Sequence, residues 1–81
     1  MIPFGIMTRA VHDPTDVGSI IRSRRRALGL RQEDLALAAG TGRRLISEIE
    51  RGKGTAEVAS VLRVLQALGL SLAVQDDSDS A

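Results

Sequence analysis

Four glycines, at positions 29, 40, 52 and 69, cut residues 13–69 into segments that each carry aliphatic side chains at helical spacing. This punctuation constrains the chain more than any other feature. Asp13-Pro14-Thr15-Asp16 opens the first segment: Asp13 is suited to cap a helix, Pro14 to fill its first position, and Asp16 to complete a box-like arrangement at the positive helix end. A helix is expected from Pro14 to about Leu28, with Val17, Ile20, Ile21 and Leu28 as its apolar stripe and Arg22, Arg25 and Arg26 crowded towards its C-terminal half. Gln32 to Ala39 forms a second, shorter helix with Leu35, Ala36 and Ala39 on one side, and Gly40 closes it as a left-handed cap. Thr41 and Gly42 bridge to a third, from Arg43 to about Arg51. Gly52 and Gly54 then break the chain, and Thr55 is expected to cap a fourth helix with the stripe Val58, Val61, Leu62, Leu65 and Leu68.

The period changes after Gly69. In LSLAVQ, residues 70–75, Leu70, Leu72 and Val74 alternate with Ser71, Ala73 and Gln75, a period of two that predicts a β-strand. One strand cannot satisfy its own backbone donors and acceptors, so it must pair with the N-terminal arm (residues 1–12) or with its copy in a second subunit. The tail, residues 76–81, is polar and acidic and is expected to be disordered. Residues 13–69 are thus read as one helical domain.

Composition supports self-association. The chain has 81 residues, 43% of them hydrophobic but a single aromatic, so its core must be a thin one of Leu, Ile, Val and Ala. Small chains with no cysteine or metal cluster often gain stability by forming oligomers. The opening MIPFGIM is too short for a signal peptide and lacks a basic region, and no apolar run approaches membrane-spanning length, so the expected location is the cytoplasm.

The net charge of +1 hides an asymmetry. Residues 22–53 hold nine Arg or Lys against four Asp or Glu, which leaves two against six elsewhere. A local basic field attracts polyanions, although arginines also keep small helical proteins soluble. Catalysis finds no support: there is no cysteine, the lone His12 has no partner, and no acid–base constellation is present. RGKGT does not make a phosphate loop, because Ser47 stands where a glycine is required and Gly54 follows Lys53 in place of Ser or Thr. No cofactor or metal site is expected.

On a helical wheel, Leu45, Ile46 and Ile49 fall within about 50° of one line, while Arg43, Arg44, Ser47, Glu48 and Arg51 spread over the other side. The third helix should therefore bury its aliphatics and present arginines. Following a short helix that ends at Gly40, this is a helix-turn-helix arrangement, in which the second helix can enter the major groove of DNA. Small residues at Ala36 and Gly40 are expected to let the two helices approach closely.

RRRALGLRQEDLALAAGTGRRLISEIERGK resembles the Xre/Cro-type helix-turn-helix family over about residues 17–69, and VLRVLQALGLSLAVQD adds a likeness to the HipB-type antitoxins. The resemblance implies an all-α, lambda-repressor-like fold of four to five helices with a C-terminal β-strand, its strand residues Leu70, Leu72 and Val74 pairing across a homodimer. It implies a repressor that autoregulates its operon through a palindromic operator in duplex DNA and binds a HipA-like serine/threonine kinase toxin, with no small-molecule substrate. It places Arg43, Arg44 and Ser47 at base edges and Gln32 and Lys53 on phosphates, and it pairs Glu50 with Arg25 as a structural salt bridge; Arg31, a departure from the family, and Thr41 are added as further expected phosphate contacts. Physical chemistry agrees for the arginines, whose planar forks match guanine O6 and N7. Two departures stand out. Arg31 replaces the usual Thr or Ser cap before Gln32, and Gly42 has no side chain to touch DNA. A stand-alone regulator without a toxin, or a module whose arginines bind an acidic protein and never DNA, are the rival readings.

Overall fold

The computed structural model describes residues 8–76, and in these four helices follow one another: α1 (Pro14–Ala27), α2 (Gln32–Ala39), α3 (Arg43–Glu50) and α4 (Val58–Ala67). Asp13 begins α1 as expected, its carboxylate accepting from the backbone N–H groups of Thr15 and Asp16 at 2.9 and 3.1 Å and from the Thr15 hydroxyl. Asp16 reaches back one residue further than the expected box, accepting from the N–H of His12 at 2.8 Å. The Asp13 carboxyl is accordingly held below its ordinary range, the Thr15 hydroxyl first among the causes.

The core is a small aliphatic cluster: Ile21 from α1, Leu35, Ala36 and Ala39 from α2, Ile46 and Ile49 from α3, and Val64, Leu65 and Leu68 from the last helix and its end. Helix α2 packs on both α3 and α4, and α1 packs on α3. Three expected stripe residues lie outside this core, and one of them, Ile20, is half-buried without packing on the cluster. Leu28 is 46% exposed, because the chain turns at Gly29 and Leu30 packs against the cluster instead. Val58, 69% exposed, sits one turn short of the cluster, and Val64, which the expected stripe left out, is fully buried.

Helix α4 also starts later than expected. Glu57, not Thr55, is its N-cap, and no side chain bonds its first turn, since residues 54–56 turn and Ala56 packs on the core. At its far end the Nε of Arg24 on α1 donates to the carbonyl of Leu68 at 3.0 Å, tying the last helix to the first. Leu70 still packs on the core, and its N–H bonds the carbonyl of Leu65 at 2.8 Å. Beyond it, residues 71–76 carry no regular secondary structure, and Leu72 and Val74 are 56% and 94% exposed. The expected strand therefore has no pairing partner among the described residues of a single chain. The expectations for residues 1–7 and 77–81 lie outside the described residues. No helix among the described residues is long and apolar enough to cross a membrane.

Candidate nucleic-acid interface

Gly40 adopts φ +70°, the left-handed conformation that costs glycine little and other residues more, and so ends α2 with a sharp turn. Its expected second role is not observed. A Cβ at Gly40 would meet nothing within 4 Å, so the close approach of α2 to α3 rests on Ala36, which is 4% exposed, and not on Gly40. The N–H of Thr41 bonds the carbonyl of Ala36 at 2.9 Å, and Gly42 then starts α3 with no side-chain cap.

Helix α3 divides by face. Ile46 and Ile49 are buried and Leu45 is half-buried against the core, whereas Arg43 and Arg44 are exposed and Ser47 is half-buried at the edge. With no side-chain cap at Gly42, α3 begins at Arg43 and Arg44 with its first backbone N–H groups uncapped, an arrangement that favours anions.

Behind this helix stands a buried polar junction. Glu50 accepts from Arg25 Nε at 2.7 Å and Nη2 at 3.0 Å, a two-pronged pair whose side chains are 10% and 3% exposed. Arg25 spends another donor on the carbonyl of Leu30 at 2.8 Å. Gln32 joins them, its amide nitrogen donating to Glu50 Oε1 at 3.1 Å. Burial pushes the Glu50 carboxyl up, but the hydrogen bonds from Arg25 and Gln32 and the nearby charges of Arg25 and Arg22 more than offset this and hold it below the ordinary range. The carboxylate stays charged and pins α1, α2 and α3 together.

Two of the other residues expected at phosphates, Arg31 and Lys53, are already engaged within the chain. Arg31 begins α2 without capping it: its guanidinium lies 3.2 Å from both Asp34 and Glu33, and Asp34 accepts from its N–H at 2.9 Å. Lys53 donates to Glu48 Oε2 at 2.9 Å, and Arg44 Nε stands 4.0 Å from the same oxygen. The Glu48 carboxyl is held below its ordinary range by Lys53 first. Thr41 is half-buried in the turn. One close approach was not foreseen from the sequence. Gly18 is buried inside α1, and a Cβ there would collide with the backbone carbonyls of Ile49 and Glu50, at 2.8 Å from the latter. A glycine in the middle of an otherwise good helix was the available signal, since that position costs helix stability unless another backbone passes close by.

The sequence matches the helix-turn-helix family model over residues 21–75. It is 44% identical over 66 residues to the HTH-type transcriptional regulator y4mF of Sinorhizobium fredii, a match covering 82% of this chain and 87% of that relative. Among solved structures, a chain of the HipA–HipB–O2–O3 complex superposes with a TM-score of 0.78 at 25% identity, covering 85% of this chain and 97% of that one. A HipB–O4 20mer complex gives the same TM-score and identity. The restriction-modification controller protein C.AhdI from Aeromonas hydrophila is similar with a TM-score of 0.66 at 32% identity, over 73% of this chain and 86% of its own.

Proposed function

This chain belongs to the helix-turn-helix family of DNA-binding transcriptional regulators, and on that premise we propose that it is a homodimeric, sequence-specific repressor of its own operon and the antitoxin of a HipA-like kinase. One observation carries the DNA-binding part: α3 turns its aliphatics inward and presents Arg43 and Arg44 at an uncapped N-terminus, immediately after the α2 turn. Those two arginines and Ser47 read base edges. Lys53, Arg31, Gln32 and Thr41 contact the flanking phosphates. For Gln32 this leaves one amide hydrogen beyond the bond to Glu50, and Lys53 and Arg31 exchange carboxylate partners for phosphate.

Support for the dimer comes from residues 70–75: Leu70 packs on its own core, but Leu72 and Val74 lie exposed on backbone that joins no strand among the described residues. Antiparallel pairing of two copies would cover Leu72 and Val74 and set two recognition helices about one DNA turn, roughly 34 Å, apart on a palindromic operator. Truncation after Gly69 is expected to give monomers by light scattering; a truncated dimer would place the interface elsewhere. The kinase partner is supported by the likeness to a chain of the HipA–HipB–O2–O3 complex. The similarity to a restriction-modification controller protein favours, as second reading, a regulator with no toxin.

The test is binding to duplex from the region upstream of the chain's own coding sequence. Affinity should fall steeply with rising salt and be lost in an Arg43→Ala/Arg44→Ala variant. Sequence-indifferent or salt-independent binding would sink the repressor reading. Co-purification of a kinase encoded beside it decides between antitoxin and stand-alone regulator.

A further inference from the structure

The arginines of α1 have separate destinations. Arg25 turns in to Glu50, and Arg24 turns to the end of α4 at Leu68. Arg22 and Arg26, one turn apart, instead line a shallow groove of about 420 Å³ together with Arg51 at the end of α3 and the hydroxyl-bearing Ser19 and Ser23. None of these three guanidiniums lies within ion-pair distance of a carboxylate among the described residues. Glu50 borders the groove and feels the charge of Arg22, but its hydrogen bonds come from Arg25 and Gln32. The groove therefore gathers three guanidiniums with no carboxylate at ion-pair distance among the described residues, in a protein that pairs Arg25, Arg31 and Lys53 with carboxylates.

We propose that this groove, formed by Arg22, Arg26 and Arg51 with Ser19 and Ser23, is a second phosphate-binding site that grips the DNA backbone at the far end of α3. The inference rests on the DNA-binding reading above and extends its footprint onto α1. Continuity favours DNA over an acidic protein. Arg51 falls about 20° from Arg44 on the helical wheel, so both stand on one exposed stripe of α3. An eight-residue helix is about 12 Å long, close to the width of the major groove, about 12 Å. With Arg43 and Arg44 over the bases at one end, the other end arrives at a sugar–phosphate strand. There three guanidiniums and two hydroxyls supply the donors that phosphodiester oxygens accept. Such contacts fix the register of the protein on the duplex and carry no sequence information.

The experiment compares the full-length wild type with Arg22→Gln/Arg26→Gln/Arg51→Gln, with the corresponding triple lysine variant, and with Arg63→Gln as a control for charge removed elsewhere. Affinity is measured from low to moderate salt on the upstream duplex and on a scrambled duplex of equal length, with thermal melts to confirm folding. The expected result is a plot of log affinity against log salt that is shallower by about 2–3 in the glutamine triple, about one for each phosphate no longer neutralised. Both duplexes should weaken alike, so that the preference between them is unchanged. The lysine triple should recover most of the slope, and Arg63→Gln should leave it as in the wild type. If the glutamine triple keeps the wild-type slope while the wild type binds the upstream duplex, the groove is not a phosphate site and the proposed function stands. A triple that loses preference and keeps its slope overturns the site in favour of base contact. A wild type that binds neither duplex overturns the proposed function and the groove with it.

Discussion

Glu48 and Glu50 stand two residues apart on α3 and each holds cations, yet they do opposite work. Glu50 faces inward, 3% exposed, and clamps Arg25 and Gln32 from two other helices. Glu48 faces outward beside Ser47, 22% exposed, and restrains Lys53 and Arg44, cations that DNA binding would need. The inner pair is worth its full interaction only while all three helices are in place. The outer pair is a solvated contact that a phosphate can replace. Identical side chains on one short helix thus hold different partners according to which side of the helix they occupy.

The largest effect should come from the inner face. Glu50→Ala leaves Arg25 buried without its carboxylate and should cost about 3–5 kcal/mol, enough to unfold a domain of this size near room temperature, as read by urea or thermal denaturation. A variant that melts like wild type would erase the distinction between the faces. The same carboxyl sets a pH dependence. Its folded pKa lies below the ordinary 4.5, so the stability it contributes is complete above that value and is lost as pH falls through the depressed folded pKa. Melting temperature should therefore hold from neutral pH down to about 5 and drop in the more acidic range below.

Gly18→Ala comes next. The new methyl must displace the backbone of Ile49 and Glu50, and overpacking of this kind costs about 1–3 kcal/mol even though alanine is the better helix former. Lower stability with retained operator preference would confirm that α1 supports α3 from behind. An unchanged urea midpoint would mean that the two helices can separate freely.

On the outer face, Arg43→Ala should shift stability by no more than about 0.5 kcal/mol and reduce discrimination between operator and altered duplex by about 1–3 kcal/mol. A loss of stability without a loss of discrimination would reverse the assignment of the faces. The smallest effect is expected for Glu48→Gln, which frees Lys53 and Arg44 with melting unchanged. DNA binding should tighten modestly and depend more steeply on salt. Weaker binding would show that Glu48 itself touches a base.

Much of the helical frame could be read from local chemistry. The Asp13-Pro14 start of α1, the bounds of α2 and the inward set Leu45, Ile46 and Ile49 follow from caps, glycines and a period of 3.6, all properties of neighbouring residues. Where local chemistry misled, the cause was distant. Leu28 and Val58 continue their stripes in sequence but extend past the ends of the core they would have to meet. Thr55 is a good cap in isolation, but the turn before α4 is set by Ala56 packing inward. The link between Arg25 and Glu50 was implied by family resemblance, since no spacing rule joins residues 25 positions apart in the chain.

The sequence by itself determined that residues 13–69 would fold as short helices broken at glycines, with an arginine-bearing face on the third. Caps, turns and amphipathic period are settled within a few residues of the chain. The tertiary structure alone decided where the cations go: which guanidinium is buried against Glu50, which seals the end of α4, which are held by surface carboxylates, and which line the groove between α1 and α3 with no carboxylate at ion-pair distance among the described residues. An arginine has the same charge and reach at every position, and only the helices folded around it determine whether a carboxylate, a carbonyl or open solvent lies within its grasp.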